Sequence, residues 1–390
     1  MDDLVLVGVS QRRGGTEALE AWTRWVESWD GAGSEVVPIT TCNRCDLVLA
    51  LPKGMGLEEL RARLIPAGVL RGYAFAGEAA LEQLCRVAAS LDSLNPGEDQ
   101  IMNQVRQAFE TARQRGTVGS ITSFAFHQAL RIAKRVRREV PLAPAQTSLF
   151  SLARPSFEAA LPESATVAVL GAGEMGTLAA RSLTANSKTK LWIVNRSLEK
   201  AQALANKLGA KAMALETFLG GELRVDGLVC ATPVEHLVSK DFLNIQPRLK
   251  AVVDMGMPRN LEPALALQKN LVLIDLPAME RLGEGRREQL RGHLARAERV
   301  IAEELETALG EWVERRLGAA ITQLHQQYRA TLEQAVGDSL DPETIRRLAH
   351  GFARVPIKGL RGLARRNGLG AAKAFLEEAG LCDGDTKVAL

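Results

Sequence analysis

No stretch of this 390-residue chain approaches the roughly 20 consecutive apolar residues needed to cross a bilayer; its longest uncharged apolar runs are only strand-length. The start, Met1-Asp2-Asp3, lacks the basic opening of a signal peptide, so a cytoplasmic location and no membrane partner are expected. Cysteines are few and odd in number: of the five, Cys42 and Cys45 lie close together while Cys85, Cys230 and Cys382 are scattered, which suggests no disulfide framework. No second C-x-x-C exists, and the five histidines (His127, His236, His293, His325, His350) show no ligand spacing, so no metal is expected. Net charge is only +3, which indicates no strong global attraction to nucleic acid, and DNA is not an expected partner. Internal repeats and low-complexity tracts are absent.

What is present is ordinary globular usage, 46% hydrophobic and 24% charged. At roughly 150 residues per domain, the length predicts two or three domains. Leu4 to Val9, Glu35 to Ile39 and Leu47 to Ala50 read as strands among helical patterns, an N-terminal α+β domain over residues 1–144 that ends at Pro141-Leu142-Ala143-Pro144. From Thr166 to Asp275, apolar runs alternate with helical stretches: Thr166 to Leu170, Lys190 to Val194, Gly227 to Ala231, Ala251 to Asp254 and Leu271 to Asp275. Buried parallel strands read this way because helices cover both faces, so an α/β domain of Rossmann type is expected over residues 145–285. Residues 286–335 contain no proline, and Leu290, Leu294, Ala297, Ile301, Leu305, Ala308 and Trp312 recur at spacings of three and four. That predicts one long helix bridging domains or subunits, within an all-helical third domain over residues 286–390.

Gly171-Ala172-Gly173-Glu174-Met175-Gly176 fits G-x-G-x-x-G between the strand at Val167 to Leu170 and a helix start. Gly171 permits the tight turn, Gly173 lets a pyrophosphate approach backbone N–H groups, and Gly176 allows the helix to pack closely on the strand. The bland alternative is a mere tight turn. The second strand ends in Asn195-Arg196-Ser197, where an acidic residue would bind the ribose hydroxyls of NAD; Arg196 would attract a 2′-phosphate, which favours NADPH.

Thr41-Cys42-Asn43-Arg44-Cys45-Asp46 follows a predicted strand, in a loop opening onto Leu47 to Ala50. A cation beside a cysteine favours its thiolate, so Arg44 could activate Cys42 or hold an anionic substrate. On spacing alone, Cys42 and Cys45 could equally be a redox pair or half a metal site. In Arg131, Lys134, Arg135, Arg137 and Arg138, positions 131, 134, 135 and 138 share a helical face opposite Ala129, Ile132, Ala133, Val136 and Val140. That face is either simply solvated or a contact for a nucleic-acid backbone.

Over nearly its whole length the chain resembles the glutamyl-tRNA reductase family. Four blocks carry the resemblance: Thr41 to Arg44; Leu91-Asp92-Ser93 with Gly97 to Ile101 and Gln104-Val105; the glycine loop with Asn195-Arg196; and Asp254 with Pro258-Arg259-Asn260. The resemblance implies NADPH-dependent reduction of glutamyl-tRNA(Glu) to glutamate-1-semialdehyde, the first step of five-carbon tetrapyrrole (porphyrin) synthesis, through a thioester on Cys42. It implies a glutamate pocket of Thr41, Asn43, Arg44, Ser93, Glu98, Asp99, Gln100 and Gln104, with Arg44 suited to the glutamyl carboxylate. NADPH is placed at Gly171 to Gly176 with Asn195, Arg196 and Ser197. A homodimer follows, and an aminotransferase as a possible partner taking the product. The chain departs from the family pattern: Gln83 replaces a histidine important for activity, Gln11 another histidine, Asp46 a glutamate and Asn103 a glycine, while Cys45 is atypical. Two other readings stay open, a non-catalytic scaffold that binds tRNA or a partner, and an NADP-dependent oxidoreductase using Cys42 and Cys45. Without the resemblance, Asp254 and Arg259 would read as an ion pair fixing a loop.

Overall fold

The structure is a computed structural model, which describes all residues except 2, 29–34, 42, 52–56, 65–71, 99, 143–147, 185–188 and 380–390. The chain forms two compact units, residues 2–301 and residues 302–390.

The first unit opens with β1 (Leu4–Ser10), α1 (Gln11–Ser28), β2 (Val36–Thr40), β3 (Arg44–Ala50), α2 (Leu57–Leu64) and β4 (Tyr73–Ala76). The strands form an antiparallel sheet in the order β2-β3-β1-β4. Residue alternation sorts β3 by face: Cys45, Leu47 and Leu49 join the apolar core with Leu19 and Trp22 of α1, while Arg44 and Asp46 fall on the other side. Trp22 Nε1 donates to the carbonyl of Cys45 at 2.8 Å, which seats α1 on the sheet. Burying side chains of this size contributes about 1.5–3 kcal/mol each.

Helices α3 (Gly77–Ala88), α4 (Gln100–Gln114) and α5 (Ser120–Glu139) follow. On α5, Ala129, Ile132, Ala133 and Val136 are fully buried, while Arg131, Lys134 and Arg138 are exposed, as the helical periodicity predicts. Arg135 pairs with Glu139 at 2.9 Å, and Arg137 turns inward to donate to the carbonyl of Glu98.

After α6 (Phe150–Ala159) comes the α/β alternation: β5 (Thr166–Leu170), α7 (Glu174–Thr184), β6 (Lys190–Asn195), α8 (Leu198–Leu208), β7 (Lys211–Ala214), α9 (Leu215–Leu219), β8 (Gly227–Cys230), α10 (Lys240–Asn244), β9 (Ala251–Asp254), α11 (Pro263–Gln268) and β10 (Val272–Ile274). All six strands are parallel, in the order β10-β9-β8-β5-β6-β7. The order reverses direction beside β5, and ligands of such sheets bind at that switch point, outside the carboxyl ends of the strands. Phe150, Ala153 and Phe157 of α6 pack into the apolar layer that covers this sheet.

Helix α12 (Leu276–Gln289) ends at Leu290, and α13 (Arg291–Val336) starts afresh. The long helix expected over residues 286–335 is thus interrupted near its start, at Leu290, two residues before Gly292. At 46 residues, α13 is still about 70 Å long, and the division between the two units falls within it. In the second unit α14 (Pro342–Glu378) lays Ala353, Ile357, Leu360 and Ala364 against Val313, Leu317, Ala320 and Leu324 of α13. Spacings of three and four on both helices make this an ordinary ridge-and-groove pair.

Candidate active site

The β2–β3 hairpin turns in three residues. The Thr41 amide donates to the Arg44 carbonyl at 2.8 Å, while the Thr41 hydroxyl accepts from the amides of Asn43 (3.2 Å) and Arg44 (3.1 Å). A short hydroxyl side chain serves the turn because it reaches the backbone two and three residues on. Cys42 sits at this turn in the sequence but lies outside the described residues, as does Asp99. The loop expected to run through Asp46 is shorter than that: Arg44, Cys45 and Asp46 are already in β3, because the register pairs Thr40 with Cys45 and Ile39 with Asp46.

This register drives Arg44 inside, to 1% exposure. Its Nη1 donates to Asp46 Oδ2 at 3.3 Å and its Nη2 to Asp92 Oδ2 at 3.0 Å, with a further bond to the Asp92 carbonyl. Gln83 Nε2 donates to the same Asp92 oxygen at 2.9 Å, and the Tyr73 hydroxyl donates to Asp46 Oδ1 at 2.5 Å. Burial works to raise the Asp92 carboxyl, but the Arg44 charge and the bonds from Arg44 and Gln83 hold it below the usual range. At Asp46 burial prevails and the carboxyl is pushed up. Sequence reasoning placed Arg44 against substrate; in the structure both its terminal nitrogens are held by the protein.

The segment after α3 wraps this network. The Ser93 and Ser90 hydroxyls meet at 2.9 Å, Asn95 Nδ2 donates to the Ser148 carbonyl at 2.8 Å, and Arg287 Nη2 donates to the carbonyls of Leu91 and Ser93 at 2.7 Å each. Glu98, 4% exposed, is pushed up to about 8 by burial, against the opposing influence of Arg137 and Ser93. A carboxyl raised in the folded state above its ordinary value near 4.5 contributes stability in acid, lost as pH rises toward 8. Glu98→Gln, which cannot titrate, is therefore expected to gain on wild type in Tm between about pH 4.5 and 8 and to hold that gain above; thermal melts across pH check it. Gln100 and Gln104 lie on the first turns of α4, and Gln104 Nε2 reaches Glu174 Oε2 at 3.4 Å.

Buried polar atoms almost always find partners. Yet Asn43 Oδ1, Gln100 Nε2 and Gln104 Oε1 are buried and have no hydrogen-bond partner among the described residues. All three belong to residues expected to hold substrate. A cavity of about 710 Å³, lined by Thr40, Leu47, Gln104, Gln107 and Glu174 among others, adjoins both the hairpin and the glycine loop. That is within the usual size of ligand pockets.

At the switch point the three glycines of the loop have different reasons. Gly171 has φ 106, and a Cβ there would lie 2.5 Å from the Ala231 carbonyl oxygen; at Gly176 it would lie 1.9 Å from the Gly171 oxygen. At Gly173 a Cβ meets nothing within 4 Å, so the loop presents an open backbone face where a pyrophosphate would approach. Ala172 donates its amide to Asn195 Oδ1 at 3.3 Å, tying the loop to the end of β6. Ser197 caps α8 by accepting from the Lys200 amide at 3.3 Å, and Arg196 beside it is exposed. Gly176→Ala is expected to unfold the loop and lower Tm, whereas Gly173→Ala keeps the wild-type melt and loses roughly a hundredfold in dinucleotide affinity, measurable by fluorescence titration.

Comparison with known proteins bears on both halves of this site. Residues 13–140 match the model of the glutamyl-tRNA(Glu) reductase N-terminal domain, and residues 151–282 that of shikimate/quinate 5-dehydrogenase. A glutamyl-tRNA reductase of Thermus thermophilus is 32% identical over 384 residues, covering 93% of each chain. The chain belongs to the glutamyl-tRNA reductase family. A glutamyl-tRNA reductase of Archaeoglobus fulgidus is 28% identical over 86% of this chain and 82% of its own. The solved glutamyl-tRNA reductase of Methanopyrus kandleri is 27% identical, with a TM-score of 0.49 covering 98% of this chain and 100% of its own.

Membership in this reductase family makes the chain an oxidoreductase whose second domain takes a nicotinamide dinucleotide. The cysteine pair considered as a redox alternative has a different character: Cys45 is wholly buried, and burial pushes its thiol up to about 12. A buried protonated thiol is inert. Among the described residues no group of three or more potential metal ligands exists, and no helix is long and apolar enough to cross a membrane. Asp254 forms no pair with Arg259. It accepts from the amides of Gly256, Asn260 and Leu261, while Arg259 pairs with Glu20 of α1 at 3.1 Å. The fourth block of the family resemblance thus shapes the loop after β9 and ties it to α1. Asp92, Asp46, Tyr73 and Arg287 were absent from the candidate site residues; the Leu91-Asp92-Ser93 block gave a signal for Asp92 and the departure from the family's glutamate gave one for Asp46, while Tyr73 and Arg287 had none.

Proposed function

We propose that the chain reduces glutamyl-tRNA(Glu) to glutamate-1-semialdehyde with NADPH, through a thioester on Cys42. The observation that carries this reading is the set of orphaned polar atoms on Asn43, Gln100 and Gln104, which calls for a polar ligand where the family's substrate is expected. In this reading residues 1–144 bind the glutamyl end of the tRNA, residues 145–285 the cofactor, and residues 286–390 a second copy. Thr41, Asn43, Arg44, Ser93, Glu98, Asp99, Gln100 and Gln104 surround the glutamyl group. Arg44, held by Asp46 and Asp92, fixes the turn and adds its field to the site. Cys42 attacks the ester carbonyl, the C–O bond to the ribose breaks, and the released oxygen takes up a proton. Bound at the glycine loop, NADPH supplies hydride to the thioester carbonyl. Collapse of the resulting hemithioacetal returns the Cys42 thiolate and frees the aldehyde, a substrate for an aminotransferase.

The glycine loop fits a dinucleotide on its own geometry, since Gly173 leaves its backbone face open. For the phosphorylated form the support is Arg196, exposed at the end of β6 where an acidic residue would repel a 2′-phosphate. Arg196→Asp is expected to weaken NADPH about 10- to 100-fold in KM and to improve the relative use of NADH, read from steady-state kinetics with both cofactors. Pairing of two copies is supported by Leu348, Phe352 and Val355 on α14, exposed at spacings of four and three along one face.

The test mixes the protein with NADPH and glutamyl-tRNA and follows cofactor oxidation together with labelled glutamate on the protein. Oxidation with a Cys42-linked adduct supports the reading; charged tRNA that provokes neither sinks it and leaves the scaffold alternative.

A further inference from the structure

The cavity beside the hairpin extends well past the end that a glutamyl group would fill. Resting on the reductase reading above, we propose that its remainder, a groove between β2 and α4, holds the 3′-terminal adenosine of the tRNA. The ester end then lies at the hairpin, and a phosphate of the preceding nucleotide at Arg115.

One stripe of α4 lines the groove along its length. Gln104, Gln107, Thr111 and Arg115 recur at spacings of three and four, so they share a helical face, and the stripe spans about 16 Å. Gln104 marks the end at the glycine loop, where it meets Glu174, and Arg115, one residue past the helix, marks the other. The facing wall is apolar, made by Val26 of α1, Val36 and Pro38 of β2 and Leu47 of β3. The outer edge of β2 is closed to an added strand. The Val36 amide donates to the Thr117 carbonyl and the Val36 carbonyl accepts from the Thr117 hydroxyl, both at 2.8 Å, while Pro38 has no N–H to offer. An extended peptide laid along β2 would lack its ladder, which argues against that occupant.

An apolar wall opposite a row of amides and a hydroxyl suits a flat base that lies on the first and is read along its edge by the second. Gln107 is placed for that reading: it sits between the two ends, is exposed, and its Nε2 has only a 3.5 Å contact with the Thr111 hydroxyl. A glutamine amide matches adenine, whose edge sets an acceptor beside a donor. The amino acid of a charged tRNA is esterified to the ribose of its terminal adenosine, so adenine in the groove directs the ester toward Thr40 and Gln104. Arg115 is exposed and forms no ion pair among the described residues, whereas Arg113 is held by Glu110 at 2.8 Å. Its planar donor fork suits a phosphate. Of the acidic residues in the lining, Glu174 lies at the Gln104 end, and Glu27 of α1 forms no ion pair with Arg115.

Binding of uncharged tRNA(Glu) to the full-length protein, compared with binding of the same tRNA lacking its terminal adenosine, tests this without turnover. Loss of the adenosine is expected to weaken binding to wild type roughly 10- to 100-fold. Gln107→Ala is expected to bind both forms alike, near the affinity of wild type for the shortened tRNA. Arg115→Gln is expected to weaken both forms and to lower the slope of log affinity against log salt by about one. Both side chains are exposed, so the variants keep the wild-type fold, which circular dichroism checks. Equal affinity of wild type for the two tRNAs, or a dependence on the adenosine that survives in Gln107→Ala, would overturn the proposal. A raised KM for NADPH in Gln107→Ala with unaltered tRNA binding would overturn it too, and give the groove to the cofactor. Failure of the reductase reading looks different: wild type then oxidises no NADPH with glutamyl-tRNA, while the binding comparison still decides what the groove holds.

Discussion

Cys42→Ala is expected to reduce NADPH oxidation by glutamyl-tRNA a thousandfold or more, to roughly the uncatalysed level, while leaving tRNA affinity and Tm near wild type. The size of the effect follows from the role: without a sulfur that both attacks and leaves, hydride would have to add directly to the ester, with no thioester on the path. Cys45→Ala is the control. Its thiol lies in the apolar core with Leu47 and Leu49 and is pushed up to about 12, so it has no nucleophilic form near neutral pH. Activity of Cys45→Ala is expected within about twofold of wild type, with a small loss of Tm from the packing defect. Activity lost in both variants would favour the dithiol reading over the thioester.

The largest effect on stability is expected at Arg44. Arg44→Met removes the charge and leaves Asp46 and Asp92 facing one another in a buried pocket, which costs about 3–5 kcal/mol when a buried pair is broken from one side. Chemical denaturation should show the loss as a lower midpoint with an unchanged slope. Arg44→Lys is expected to recover only part of it, because a compact ammonium on a different stem lacks the planar fork that sets one terminal nitrogen on Asp46 and the other on Asp92. A variant of wild-type stability would mean that the pairing is dispensable to the fold and that Arg44 is available for substrate. The result therefore bears on which cation meets the substrate anion.

Strands whose side chains alternate or run apolar were legible in the sequence, and β5 and β9 begin and end where their patterns do. Two strands were not. Lys211 to Ala214 of β7 is rich in residues that favour helices, and its pairing with β6 imposes the extended form; Tyr73 to Ala76 of β4 is too short to show a period. The glycine loop was legible because Gly171 and Gly176 answer backbone requirements set within a few residues or by the adjacent strand, with Gly173 spaced between them. Arg287 had no motif to announce it, since it sits near the end of α12, and only folding brings it to the carbonyls of Leu91 and Ser93.

The hairpin at residues 41–44, where the site reading began, shows the same division. Its turn chemistry, its place between two strands and its family were determined by the sequence alone, because hydrogen bonds across two or three residues and strand periodicity are local. Which way Arg44 points, and what it meets, was decided by tertiary structure. A one-residue difference in where β3 begins turns every side chain on it to the opposite face, and the carboxylate that holds Arg44 most closely, Asp92, stands 48 residues away.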